Sequence, residues 1–209
     1  MKLKIAILTK SSRHGQYCVV GYDIEKGTLV RLVSDDINSQ GSITEKHLTC
    51  DNNKITDILD IVEVDIVSKK PTETHPEDLL INGFSKWKYI DKFELNHLPT
   101  HLFCTDEFIY LDTSNEINLD KVKQIKKSII IVKVQKLNIC KNEYKKIKAS
   151  FEYNNFKYPN FSVTDPDYYE IEKIIKYNTA ILIISLPNDK WSYENDRFFK
   201  FIAKVYPID

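Results

Sequence analysis

Short apolar runs rich in β-branched residues alternate with polar turns along this chain, and the helical signals are few and short. Leu3 to Thr9, Tyr17 to Asp23 and Leu29 to Val33 are three such runs, parted by polar stretches at Ser11 to Gly15 and Glu25 to Gly27. That spacing predicts a three-strand meander. Ser42-x-x-Glu45 is a capping-box pattern that starts a short helix through Leu48. Asp57 to Val67 alternates through Ile58, Ile61, Val62, Val64 and Ile66 and predicts a further strand. Strands of this length closing around one core make a small barrel.

Between about Phe84 and Phe103 the pattern is mixed, and Pro99 with the Asn96-His97 pair marks a connection. The domain boundary is placed there, giving 1–96 and 97–209. Asp106 to Leu111, Ile129 to Val134, Tyr144 to Tyr153 and Phe156 to Val163 read as a second set of strands. Asn154-Asn155 suits a hairpin turn, since Asn tolerates positive φ. Asp165-Pro166 reads as a helix start, with Tyr168, Ile171, Ile174 and Ile175 then on one helical face. Ala180 to Leu186 and Phe198 to Tyr206 follow as two strands parted by a polar loop. The fold class is mainly β with a few short helices.

Composition adds three constraints. The 209 residues, 42 % of them apolar and 11 % aromatic, are enough to fill ordinary cores. Thirty basic and 30 acidic side chains cancel, so no overall field steers the chain onto a polyanion. The lysines are unevenly spread, however: Lys121 to Lys148 holds ten of them against the single acid Glu143. Four widely spaced cysteines, Cys18, Cys50, Cys104 and Cys140, form no CxxC pair and read as reduced thiols of a cytoplasmic protein. Neither Ile5-Ala6-Ile7-Leu8 nor Ala180 to Ser185 is long enough for a signal-peptide core or a membrane span.

The candidate chemistry is confined to a few places. Ser11-Ser12-Arg13-His14-Gly15 could hold an anion, with hydroxyls and amides donating, a guanidinium gripping two phosphate oxygens and His14 donating or stacking. An ordinary polar turn is the plainer reading. Arg31 interrupts an apolar strand, so it either faces solvent or is paired inside, with Glu77 the partner to name. The lysine-rich segment, followed by Phe151, Tyr153, Phe156, Tyr158 and Phe161, fits a phosphate-neutralising surface beside stacking rings, with Lys133, Lys136, Lys145, Lys146 and Lys148 as its cations. Phe151 and Tyr153 share a strand face, which suits a barrel core better. His97, His101 and Cys104 have the i, i+4, i+7 spacing of metal ligands, but Pro99 lies between the histidines and no fourth ligand is near, so no metal site is assigned. Glu143-x-Lys145 lacks the preceding Pro-Asp of a nuclease signature, and no Walker loop, GxGxxG or nucleophile elbow is present. No cofactor and no catalytic residue are assigned.

The order of Ser12-Arg13-His14, the strand Cys18 to Asp23, Leu29-Val30-Arg31-Leu32-Val33-Ser34 and His75-Pro76-Glu77-Asp78 resembles one family, the dual OB-containing domain proteins of prokaryotes. Val163-Thr164-Asp165-Pro166, Ile184-Ser185-Leu186 and Phe201-Ile202-Ala203 extend the resemblance nearly end to end. Leu29 stands where the family usually has Trp, Leu32 where it has Pro and Asp78 where it has Asn. The resemblance implies two tandem OB-like β-barrels that bind or sense nucleic acid or a nucleotide in prokaryotic defence or conflict systems. It favours Ser12, Arg13, His14, Arg31 and Glu77 as one ligand-binding site. The expected partners are nucleic acid or nucleotide and other defence-system proteins, without a membrane. The leading expectation is a non-catalytic binding module; the rivals are an enzyme acting on nucleic acid or nucleotides through the same cluster and a protein-interaction module docking partners on exposed strand edges.

Overall fold

The computed structural model describes residues 1–13, 15–36, 41–187 and 197–208, with Arg13 described by its backbone alone. Two compact units divide the chain: Met1–Thr72 with Pro76–Leu102, and Glu73–His75 with Phe103–Asp209. The main break thus follows Leu102 rather than Asn96.

In the first unit the meander is β1 (Lys2–Arg13), β2 (Gln16–Asp23) and β3 (Thr28–Val33), followed by β4 (Asp60–Lys69), β5 (Asp78–Ile81) and β6 (Lys88–Lys92). β1 runs past Thr9, so Ser11, Ser12 and Arg13 lie on a strand instead of the expected loop. β1 pairs with β2 and also with β4, and β3 pairs in parallel with β5, which closes five strands in the ring β1-β2-β3-β5-β4. β6 shares one side of β4 with β5, taking its first residues, Asp60 to Glu63, where β5 takes Ile66 to Lys69. Inward-facing Ile5, Ile7, Val19, Val30, Leu32, Val62, Val64 and Trp87 fill the ring. At Gly21 a Cβ would stand 2.2 Å from Ile5 Cγ2 and 3.1 Å from the Ala6 carbonyl oxygen, so β1 and β2 meet this closely only around a bare Cα.

The short helix α1 (Glu45–Leu48) is capped by Thr44, not Ser42: the Thr44 amide donates to His47 Nδ1 at 3.1 Å, and Ser42 is buried. His47 therefore does what a Glu or Gln at the third helical position does in the usual box.

The second unit contains β7 (Glu116–Asn118), α2 (Leu119–Val122), β8 (Ile129–Lys141), β9 (Ile147–Tyr153), β10 (Phe156–Val163), β11 (Ile175–Ser185), β12 (Arg197–Phe199) and β13 (Phe201–Pro207). β8-β9-β10-β13-β11 close into a barrel with β10 and β13 parallel, the same wiring as the first ring. The expected two tandem small OB-like β-barrels are thus found, each ring having five strands. Asn154 and Asn155, at φ 49° and 65°, turn β9 into β10.

Two expected elements differ. Asp106 to Leu111 is not a strand; it ends in a 3-10 turn, Ile109–Leu111, whose Ile109 and Tyr110 are buried in the barrel core while the Ile109 amide donates to the Tyr158 hydroxyl at 3.2 Å. The helix after Asp165 stops after one 3-10 turn, Pro166–Tyr168. Ile175 already begins β11, which pairs with β8 from Ile175 to Ser185 and carries Ala180, Leu182 and Ile184 into the barrel core.

Candidate nucleic-acid interface

In the first barrel, Ser12 and Arg31, two of the expected site residues whose side chains are described, do not converge. Arg31 is buried, 4 % exposed, and its Nε and Nη2 donate to Asp78 Oδ1 and Oδ2 at 2.6 and 2.7 Å. The bidentate partner is therefore Asp78, one residue beyond the expected Glu77; the Glu77 backbone carbonyl accepts the Arg31 amide at 3.0 Å. Burial works against the charge on Arg31, but the Asp78 carboxylate prevails and raises its proton affinity. Directly opposed residues of an antiparallel pair share a face. Ser12 opposes Tyr17, which packs on the core, whereas Arg31 opposes Val20 on the other side of the sheet. Ser12 and Arg31 are thus on opposite faces, and buried Ser11, opposite Cys18, is the serine on the Arg31 face. The Arg13 backbone pairs with Gln16, and His14 lies outside the described residues. Val20, Tyr22, Arg31 and Val33 leave the outer face of β2 and β3 buried.

The Arg31 and Asp78 pair bridges the parallel seam of this barrel, which has three paired positions, Arg31 to Val33 against Asp78 to Leu80. The second barrel repeats the device with the charges exchanged. Asp165, just past β10, accepts Lys204 Nζ of β13 at 3.2 Å and the Val205 amide at 3.0 Å, and Asp167 also takes Lys204. Burial pushes the Asp165 carboxyl up in spite of Lys204. Lys200, fully buried, donates to the Ile109 and Asp112 carbonyls and to Asp112 Oδ1 at 2.8, 3.1 and 2.8 Å. Three of the words that carried the resemblance, those holding Arg31, Asp78 and Asp165, thus supply structural clasps.

The lysines of the second barrel separate into three places. Lys133 is exposed on β8 opposite Ile181 of β11. Lys136 is paired with Glu152 at 2.8 Å, near the opposite end of β9 from Lys148. Lys145 and Lys146 lie in the turn between β8 and β9, and Lys148 follows on β9; these three form one cluster, with Lys141 opposite Ile147 beside them. Among the described residues, none of Lys141, Lys145, Lys146 and Lys148 has a carboxylate at ion-pair distance. Lys148 Nζ donates to Ser162 Oγ of β10 at 2.8 Å, and burial together with the charge of Lys146 lowers its proton affinity. The turn is locked by Asn142: its Oδ1 accepts the Tyr144 and Lys146 amides at 3.1 and 2.9 Å, and its carbonyl accepts the amide of Lys145, which sits at φ 58°. Tyr144 stands 73 % exposed at its tip.

The outer face of β9 and β10 is open. Ser150, Lys157, Pro159 and Asn160 are exposed there, and Lys148, Glu152 and Ser162 are half-buried. Phe151, Tyr153, Tyr158 and Phe161 all point inward as core, Phe151 stacking on Tyr158 at 5.3 Å. Of the expected rings Phe156 alone is partly outside, 4.7 Å from Phe108. At the lysine end of this face an open depression of about 330 Å³ is lined by Lys145, Lys146, Ile147, Ser162, Val163 and Tyr169. Tyr144, Ser162 and Tyr169 were not singled out from sequence. A Tyr among lysines in a turn was a usable signal for the first; nothing local marked the other two.

His101, from the spacing to which no metal site is assigned, has its Nε2 2.9 Å from the Gly27 carbonyl. No curated protein matches the chain. A model of the dual OB-containing domain family matches residues 3–205. OB-fold barrels as a class bind oligonucleotides on the face of their second and third strands, bordered by the loop between the first and second. The open face of β9 and β10 and the lysine turn before it stand at those two positions. Two barrels of identical five-strand wiring, and a match spanning both, place the chain in the dual OB-containing domain family.

Proposed function

We propose that this chain is a non-catalytic module that binds single-stranded nucleic acid on its second barrel, over the outer face of β9 and β10 and the Lys145, Lys146 and Lys148 cluster. The observation that carries this reading is the contrast between the barrels. The outer face of the second and third strands is buried in the first barrel and open in the second, beside lysines that no carboxylate among the described residues pairs. An open face with cations at one end suits a flexible backbone whose bases splay onto the strands. A sensing part in a prokaryotic defence system is the setting that the family resemblance supports.

Fluorescence anisotropy with labelled single-stranded and duplex DNA and RNA tests it. Single strands bind at about 50 mM salt, and each phosphate neutralised contributes a slope of about −0.7 in log K against log salt. Three lysines thus give a loss of roughly twentyfold between 50 and 200 mM. Lys145→Ala with Lys146→Ala weakens binding and flattens that slope, while Lys133→Ala, on another wall, changes neither. Absence of binding at low salt, or equal loss from Lys133→Ala, overturns the reading.

A further inference from the structure

The depression at the lysine end of the second barrel has a polarity of its own. It is lined by Lys145 and Lys146, by Ile147 and Val163, both buried, and by half-buried Tyr169, which also packs against the barrel core. Ser162 stands between, and because its oxygen accepts from Lys148 Nζ, its hydroxyl proton is available to a further acceptor. The Tyr169 hydroxyl donates to the Thr164 carbonyl at 3.1 Å, which fixes the ring. The amides of Tyr144, Lys145 and Lys146 are already spent on Asn142, so an anion here is held by side chains rather than by a backbone nest.

We propose that this depression holds a single nucleotide, its phosphate on Lys145, Lys146 and the Ser162 hydroxyl and its base against Tyr169, Ile147 and Val163. The inference rests on the nucleic-acid reading above and narrows it. A volume of about 330 Å³ is at the low end of small-molecule pockets, room for one nucleotide and not for a base pair. Half-buried Lys148 behind Ser162 has no carboxylate to balance it among the described residues, so a phosphate supplies the missing charge. The same chemistry is offered by a free mononucleotide and by one residue of a strand.

Isothermal titration of the full chain with AMP, UMP, inorganic phosphate and a single-stranded homopolymer tests it. Tyr169→Leu is expected to weaken mononucleotide binding about 5- to 150-fold, the range for one base stacked on a ring. Tyr169→Phe retains binding, and inorganic phosphate binds both variants as it binds the parent. Ser162→Ala weakens phosphate and nucleotide together. Equal losses for homopolymer and mononucleotide in Tyr169→Leu identify a residue of the strand as the occupant; a loss for the mononucleotide alone identifies the free nucleotide. If neither ligand depends on Tyr169 while homopolymer binding still depends on Lys145 and Lys146, the inference fails and the strand-binding function stands. If the homopolymer does not bind but the mononucleotide does so through Tyr169, that function fails and the nucleotide site stands.

Discussion

At the scale of single residues, the charges inside these barrels are tolerated because each meets its opposite with directed hydrogen bonds. Arg31 offers two donors to two carboxylate oxygens, a geometry that restores much of what burial removes. Removing one partner is therefore far worse than never having the pair. Asp78→Ala leaves a buried guanidinium uncompensated and is expected to destabilise the first barrel by about 3–5 kcal/mol. Asp78→Asn retains an acceptor for one of the two bonds and costs less. Denaturant melts of the two variants check that order, and equal losses would show that the carboxylate charge is irrelevant to the clasp.

At the scale of elements, turns are where the chain's few special conformations concentrate. Asn155 holds φ 65° in the turn between β9 and β10, where an L-residue with a branched Cβ pays about 1–2 kcal/mol. Asn155→Val should lower stability by that amount in thermal melts, whereas Asn155→Gly should hold it. The turn was legible from the Asn-Asn pair, and so were β3, buried on both faces, as a short apolar run and β10 as an alternating one. The 3-10 turn at Ile109–Leu111 was not legible, since its apolar residues plug a core that only the folded barrel creates. The stop after Pro166–Tyr168 was hidden for a related reason: the apolar spacing to Ile175 also fits a strand, and only the presence of β8 decides between them. Of the candidate site, the lysine cluster showed itself as local charge. The fate of Arg31 did not, because whether a strand charge is buried depends on what covers that face.

For the molecule as a whole, 30 positive and 30 negative charges leave little long-range steering, so any polyanion binding must come from the local lysine turn and carry a modest salt slope. No helix among the described residues is long and apolar enough to cross a membrane. The two barrels differ in their response to acid. In the first, burial works against the Asp60 carboxylate, but hydrogen bonds from Lys92, the Asp57 amide and Lys54 hold its pKa below the ordinary range. A carboxyl depressed in the folded state contributes stability above its unfolded pKa, about 3.9, and loses it as pH falls through the folded value. In the second, Asp112 is depressed by Lys121 and Lys200 against burial, while Asp165 is raised and acts in the opposite sense. Acid titration followed by amide exchange should show the first barrel opening before the second below about pH 4, and Asp60→Asn should remove much of that acid sensitivity.

The short parallel seams also set the order of events when the chain folds. Arg31 and Asp78 are 47 residues apart and Asp165 and Lys204 are 39 apart, whereas the hairpins of each barrel join neighbours. Loop closure of that length is costly before any contact rewards it. Closure of β1 on β4 spans a still longer stretch of chain, so each ring is expected to zip its meander first and to complete its long-range seams, clasp included, late. The Asp78→Ala loss then falls on the unfolding limb of a chevron and leaves refolding nearly as fast as before. A protein built this way spends its ion pairs on residence time in the closed state rather than on speed of arrival.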